Sequence, residues 1–498
     1  MANQTSGAVY AEAGAKEQYG LHAGVLGPLE TLAQSVAAVA PSTSPSLTIP
    51  LVFVLAGNAT WFVYLLAMGA TLLVGFCVSR FARLSASPGS LYSYAADTLP
   101  PSLGVLAAWG LLLAYLATGA SVAGGALYYG HVLCQGFFQW NLPALPTLGL
   151  LCVVAGIVAY LDVKLSAEVM LWIEAVSVGL IVIVLLVMVF HFGLKLDMDQ
   201  LSLKGVKISA LGPALVLAMF SFVGFESATT LGGETREPLK TIPRAVLQSA
   251  MLTGVFFVLC SYSVVLGFRG ATTALSDSTS PLHQLAAQVG VAPLGAAIDI
   301  GVLVAAFSCV LACTTAAARV LLRMAHEGLM PRLLKSTSKK HGTPGTAIVL
   351  SAGVMLVAAA GMTLRGVSAA DIYDLLGSLS VFGFLTAYAL VAVALPFARR
   401  ALGQHSHLVV AISVITVLVV IVVVVFDLQS ASDANHARIP WIYLGYLAAG
   451  LVWSWVIRPK QRRRASNGRS GQGWRRIGPG FNGVNPPCER IGREPLGP

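Results

Sequence analysis

Two short stretches hold the residues best suited to chemistry. The first is Ala40-Pro41-Ser42-Thr43-Ser44-Pro45-Ser46, with Pro50 following: two prolines four apart among four hydroxyl side chains, inside an apolar run. Each proline lacks an N–H and clashes with the preceding turn, and the hydroxyls offer the freed backbone other partners. This predicts a helix unwound at mid-span. A single kinking proline is an ordinary structural feature; two among hydroxyls are not. The second stretch is Phe220-Ser221-Phe222-Val223-Gly224-Phe225-Glu226. Here Gly224 weakens the helix, Ser221 can cap a loosened turn, and the Phe220 and Phe222 rings can wall a pocket. An unwound helix presents N–H groups and positive potential to a carboxylate, and bare carbonyls to an ammonium. The chemistry these residues suit is noncovalent capture of a small zwitterion.

Ionisable and hydroxyl groups inside apolar runs come next. Glu174 stands well inside one such run; left charged at mid-bilayer it would cost about 2.5–3.5 kcal/mol. It either titrates and carries a proton or is a neutral, hydrogen-bonded packing residue. Glu226 falls near the inner end of its segment and is expected to pair with Arg236 or Arg244, as a gate or, preferentially, as a fixed structural ion pair. Ser308, Thr314 and Thr315 share one apolar segment and have two readings: ligands for a sodium ion, or hydroxyls bonded to their own helix. Glu168 is expected to snorkel and Asp299 to sit at the outer interface. Cys309 and Cys313, one turn apart, read as packing, and the seven cysteines form no paired framework.

The elements that must position these groups are membrane helices. Of 498 residues, 56% are hydrophobic and 10% charged, far below the charged share of about a quarter typical of soluble domains. Apolar windows predict twelve spans, near 31–56, 59–79, 104–133, 146–161, 168–192, 211–231, 246–268, 292–322, 345–364, 373–397, 407–426 and 440–457. With both termini cytoplasmic, fifteen Lys/Arg of the body fall on inner segments and six on outer loops, as positive-inside sorting requires. The net charge of +10 is mostly a property of the tail: from Arg458 onward there are ten basic and two acidic residues. The basic excess therefore points to anionic lipid near the membrane rather than to nucleic acid. The domain reading is a cytoplasmic segment 1–30, a membrane domain 31–457 and a disordered Gly/Pro/Arg-rich cytoplasmic tail 458–498. A Gly478-Pro479-Gly480-x-x-Gly483 match in that tail has no preceding strand, so it fails as a dinucleotide site. The first thirty residues lack a basic-then-apolar signal pattern.

Spans one and six are the interrupted ones, and they correspond if spans one to five and six to ten are inverted halves. Breaks at matching places in two halves point to a transporter's central site. Three motifs sharpen this reading. Gly224-Phe225-Glu226 followed by Gly233-Glu234-Thr235-Arg236-Glu237-Pro238-Leu239-Lys240-Thr241-Ile242-Pro243-Arg244 resembles the sixth helix and following loop of the amino acid–polyamine–organocation permeases. Arg319, Met324-Ala325-His326-Glu327-Gly328-Leu329-Met330-Pro331 and Gly342-Thr343-Pro344 resemble the loop after their eighth helix. Ser87-Pro88-Gly89-Ser90-Leu91-Tyr92 resembles the start of their third. The likeness covers roughly residues 30–457. It implies an all-α, LeuT-like fold of five plus five inverted helices with two appended, and secondary transport of amino acids or related amines. Where many members carry a Gly-x-Gly turn that binds the substrate carboxylate, this chain has Pro41, Ser42 and Thr43. Proline removes one donor, and the amides and hydroxyls of Ser42, Thr43 and Ser44 are the available replacements. The lysine that some proton-coupled relatives place in the fifth helix is Ser177 here.

The expectation is thus a secondary transporter of the cytoplasmic membrane, a symporter or exchanger, with an amino acid or amine as substrate and H+ or Na+ as the coupling ion. No cofactor is expected, and no enzyme activity: the nine histidines are scattered, and there is no H-E-x-x-H, Walker A or nucleophile-elbow pattern. The alternatives are a polyamine or organic-cation carrier and a non-transporting receptor of the same fold.

Overall fold

The structure, a computed structural model, describes residues 19–191, 196–271, 273–430 and 435–467, without the side chains of 430 and 458–467. Among them the fold is all-helical; two short segments meet as an isolated parallel bridge at Leu26 and Thr235. The helices are α1 (Pro28–Val39), α2 (Ile49–Ala56), α3 (Thr60–Ala82), α4 (Ser90–Thr98), α5 (Pro101–Phe138), α6 (Ala144–Leu161), α7 (Val163–His191), α8 (Ile208–Phe220), α9 (Pro238–Gly267), α10 (Pro281–Gln288), α11 (Ala292–His326), α12 (Gly345–Leu364), α13 (Ala369–Ala401), α14 (His407–Ser430) and α15 (Ile439–Asn467). Among the described residues, ten helical runs are long and apolar enough to cross a bilayer. The first of these, Pro28–Ala82, is 55 residues long, about twice what one crossing needs. Ile208–Phe220 is apolar but shorter.

Small residues let the central helices approach closely. α5 packs along both α13 and α11, and at the α5–α13 crossing a Cβ on Gly383 would lie 2.5 Å from the Gly110 carbonyl oxygen. With no hydrophobic force between helices in lipid, such backbone proximity supplies the van der Waals contact that holds them together. One contiguous apolar core runs through the bundle. The outer helices face the other way: Leu408, Val414, Leu418, Ile421 and Val425 on α14 are exposed, as are Trp441 and Trp455 on α15. Apolar surface of this kind suits acyl chains, and tryptophan suits the headgroup level.

Residues 19–27 are packed: Leu26 exchanges backbone hydrogen bonds with Glu234 and Arg236, and the Arg323 guanidinium donates to the Tyr19 hydroxyl. At the other end α15 continues to Asn467, ten residues past the apolar limit, through a stretch rich in good helix formers. The glycine-rich motif at 478–483 lies outside the described residues. Asp299 is buried, because the short helix α10 lies over it; Ser280 donates to it at 2.5 Å and His283 Nδ1 lies 2.7 Å away.

Candidate functional site

α1 stops at Val39, and Ala40 takes a left-handed conformation (φ 51°). The cause is local: Ala40 precedes Pro41, whose ring disfavours the helical region for its neighbour. The backbone then turns and re-enters through a π-helical turn, Ser44–Thr48, before α2 begins. Thr43 holds the turn, since both its amide (3.0 Å) and its hydroxyl (2.8 Å) donate to the Ala40 carbonyl. The second interruption follows α8. Its helix ends at Phe220, Gly224 has φ 92°, and a 3-10 turn covers Ser227–Leu231.

The two interruptions touch. A Cβ on Gly224 would sit 3.0 Å from the Ala38 carbonyl oxygen and 2.9 Å from its Cβ, so only glycine supplies both the positive φ and the room. Ser227 Oγ donates to the Gln34 carbonyl and the Ala228 amide to Ser35 Oγ, each at 2.9 Å. Between the breaks lies a cavity lined by Ala38, Val39, Ala40, Thr43, Ser44, Thr118, Val122, Phe220, Val223, Cys309 and Tyr373. It measures about 10 Å3, room for about one water. A larger guest therefore needs its walls to move. Phe220 packs edge-on against Tyr373, ring centres 5.4 Å apart.

Of the residues picked from sequence, Ala40, Thr43, Ser44, Phe220 and Val223 line this cavity and Gly224 makes its floor possible. Pro41 and Ser42 are not among its lining residues; Ser42 Oγ turns to Glu174 instead. Two assignments are corrected. Phe222 is not a wall; it is 1% exposed and packs edge-on against Phe257 at 5.2 Å, on the side facing α9. Ser221 also points away, to the Tyr64 hydroxyl at 3.2 Å. After an irregular turn, helical phase does not predict which side a side chain takes. Thr118 and Tyr373 were missed. Thr118 has a buried hydroxyl without a hydrogen-bond partner, and its only sequence signal is a threonine within a Gly/Ala-rich stretch. Tyr373 accepts or donates with Thr48 Oγ1 at 3.0 Å and ties the π turn to α13.

Glu174 lies behind the first break. It is 4% exposed, Ser42 Oγ donates to its Oε2 at 3.4 Å, and its Oε1 has no partner. Of the other coupling candidates, Ser308 faces Glu174 and the rest point elsewhere. Ser177 Oγ donates to the Gly301 carbonyl at 3.1 Å, and Thr314 Oγ1 to the Val310 carbonyl of its own helix at 2.7 Å. Ser308 and Thr315 are seven residues apart on α11, about 10.5 Å at 1.5 Å per residue. They cannot hold one ion together; the Arg319 guanidinium donates to the Thr315 carbonyl at 2.9 Å, while the Thr315 hydroxyl is buried without a partner.

The expected pairing of Glu226 with Arg236 or Arg244 is also corrected. Glu226 is fully buried and accepts from two phenols, Tyr115 of α5 at 2.9 Å and Tyr388 of α13 at 2.7 Å. Arg236 Nε instead donates to the Gly24 carbonyl, and Arg244 is exposed. The buried ion pair is Arg319 with Glu234, bidentate at 2.6 Å on both arms, with side chains 1% and 0% exposed. The motifs around residues 87–92, 233–244 and 319–331 thus converge at one end of the bundle. There Ser90 bonds Thr229, and the Tyr92 hydroxyl donates to Glu327, which also pairs with Arg323 at 2.6 Å.

This arrangement can be set beside known proteins. The chain is 26% identical to an L-asparagine permease of Mycobacterium bovis over 61% of its length and 63% of that protein's. It is 26% identical to a low-affinity putrescine importer of Escherichia coli over 59% of its own length and 66% of the importer's. Its fold is that of a manganese transporter of Eremococcus coleocola, with a TM-score of 0.55 at 12% identity, over 88% of this chain and 94% of that one. The amino acid permease description matches residues 43–457, and the chain belongs to that family.

Proposed function

We propose that the protein is a secondary active transporter that carries an amino acid or related amine across the cytoplasmic membrane by alternating access. In this reading the chain crosses twelve times, the run Pro28–Ala82 counting as two crossings and residues 208–231 as one, with both termini cytoplasmic. The carrying observation is that both helix interruptions meet around one small cavity, with a buried carboxylate directly behind the first. Backbone carbonyls at the break, the Ser44 and Thr118 hydroxyls and the aromatic walls of Phe220 and Tyr373 bind the substrate. Phe220 swings to admit it.

Proton coupling is the reading that the buried Glu174 carboxylate beside the first break supports. Glu174 binds and releases the proton, and Ser42 reports its charge to the unwound turn. Deprotonation strengthens the Ser42 hydrogen bond, because a carboxylate accepts better than a carboxylic acid. Protonation loosens that bond and frees the Ser42 hydroxyl for substrate.

A specific observation favours an amine without a carboxylate as a second reading. Pro41 has no amide proton, and both Thr43 donors are engaged by Ala40, which leaves few groups to hold a carboxylate. Competition by carboxylate-free amines separates the two. The site itself is tested by Ser42→Ala with Thr43→Ala, which should weaken substrate binding to the purified protein without loss of folding. Normal affinity in that variant would overturn the site.

A further inference from the structure

Arg399 and Arg400 form the last turn of α13, and a short turn leads from there into α14. Between the two helices is a cavity of about 190 Å3 whose lining includes Phe397, Arg399, Arg400, His405 and Val410. Its cations lack counter-ions. Among the described residues every ion pair lies elsewhere, and the Nε of Arg399 is buried with no acceptor. Two more arginines add to the field. The charges of Arg83 and Arg399 both act on Arg80, at the end of α3, and the Arg80 guanidinium rests 4.9 Å above the Phe76 ring. Like charges gathered at a membrane boundary repel, and a buried N–H without an acceptor costs free energy. An anion with several oxygens relieves both, and guanidinium groups match phosphate geometry in particular.

The surroundings distinguish a lipid from a free anion. Phe397, Leu402, Leu408 and Val410 around the cavity are all exposed large apolar side chains, continuous with the apolar face of α14. A free phosphate gains nothing from them. A phospholipid places its phosphate among the arginines and its acyl chains along that face.

We propose that this cavity holds the headgroup of an anionic phospholipid, with Arg399 and Arg400 as its direct ligands and Arg80 and Arg83 supplying the surrounding positive field. The site is separate from the substrate cavity and does not depend on what the protein transports. The test uses the full-length protein, stripped of lipid in detergent and titrated separately with phosphatidylglycerol, phosphatidylcholine and glycerol 3-phosphate, with adducts counted by native mass spectrometry. Phosphatidylglycerol should bind about tenfold or more tighter than phosphatidylcholine, less so at high salt, and glycerol 3-phosphate should not displace it. R399Q/R400Q should weaken phosphatidylglycerol binding about thirtyfold, about fivefold per arginine, and leave phosphatidylcholine unaffected; R399K/R400K should retain most of the affinity. Equal affinity of the wild type for the two lipids would overturn the proposal even if no variant folds. So would unchanged phosphatidylglycerol binding by R399Q/R400Q. Displacement by glycerol 3-phosphate would identify a free-anion site instead.

Discussion

Replacing Glu234 with leucine leaves the Arg319 guanidinium buried with only the Thr315 carbonyl as partner. In the intact protein both arms of the pair are 2.6 Å long and neither side chain is more than 1% exposed. Removing one partner of a buried pair costs about 3–5 kcal/mol, because the remaining charge is neither solvated nor compensated. Arg319→Met should cost a similar amount by stranding the carboxylate. The double variant removes both charges and puts apolar groups of similar length in their place, a change that is often neutral. It should therefore be more stable than either single variant. Heating in lipid nanodiscs with a thiol-reactive dye reads this directly, since Cys77, Cys152, Cys260, Cys309 and Cys313 are buried. The single variants should expose their thiols about 5–10 °C earlier than wild type, and the double variant should recover most of that shift. Additive loss in the double variant would refute the reasoning, and so would single variants that melt with the wild type.

Three substitutions probe the site. Gly224→Ala forces a side chain into positive φ and against the Ala38 backbone, and should cost at least about 1–3 kcal/mol together with substrate binding; wild-type melting and affinity would show that the breaks can separate freely. Phe220→Ala should raise KM with a modest stability loss, whereas Phe222→Ala should lower stability by about 3–5 kcal/mol with KM nearly unchanged in folded protein. The reverse split would exchange their roles. Glu174→Gln keeps the Ser42 contact but cannot ionise, so it should flatten the pH profile of uptake; an unchanged profile returns Glu174 to packing.

Much of the path to the site was legible in the residues. Pro41 and Pro45 announce the first break because proline acts on its own backbone and its neighbour's, a purely local effect. Gly224 is equally local, although only the packing shows that Ala38 demands it. What sequence did not reveal depends on distant partners. Glu226 looked like half of an ion pair because Arg236 and Arg244 follow closely along the chain, yet its partners Tyr115 and Tyr388 are 111 and 162 positions away. Glu234 and Arg319 were both visible as motif residues, but their union 85 positions apart was not. The cover over Asp299 was hidden for a related reason: it is the eight-residue helix α10, too short to register in a membrane-span window.

The central claim is tested most directly by uptake into proteoliposomes. Labelled amino acids and a polyamine panel would be offered with an imposed proton gradient, a sodium gradient, or neither. The account predicts accumulation of an amino acid or amine under the proton gradient, lost in Ser42→Ala with Thr43→Ala. Accumulation driven only by sodium would contradict the role given to Glu174, and binding without flux in folded protein would contradict transport itself.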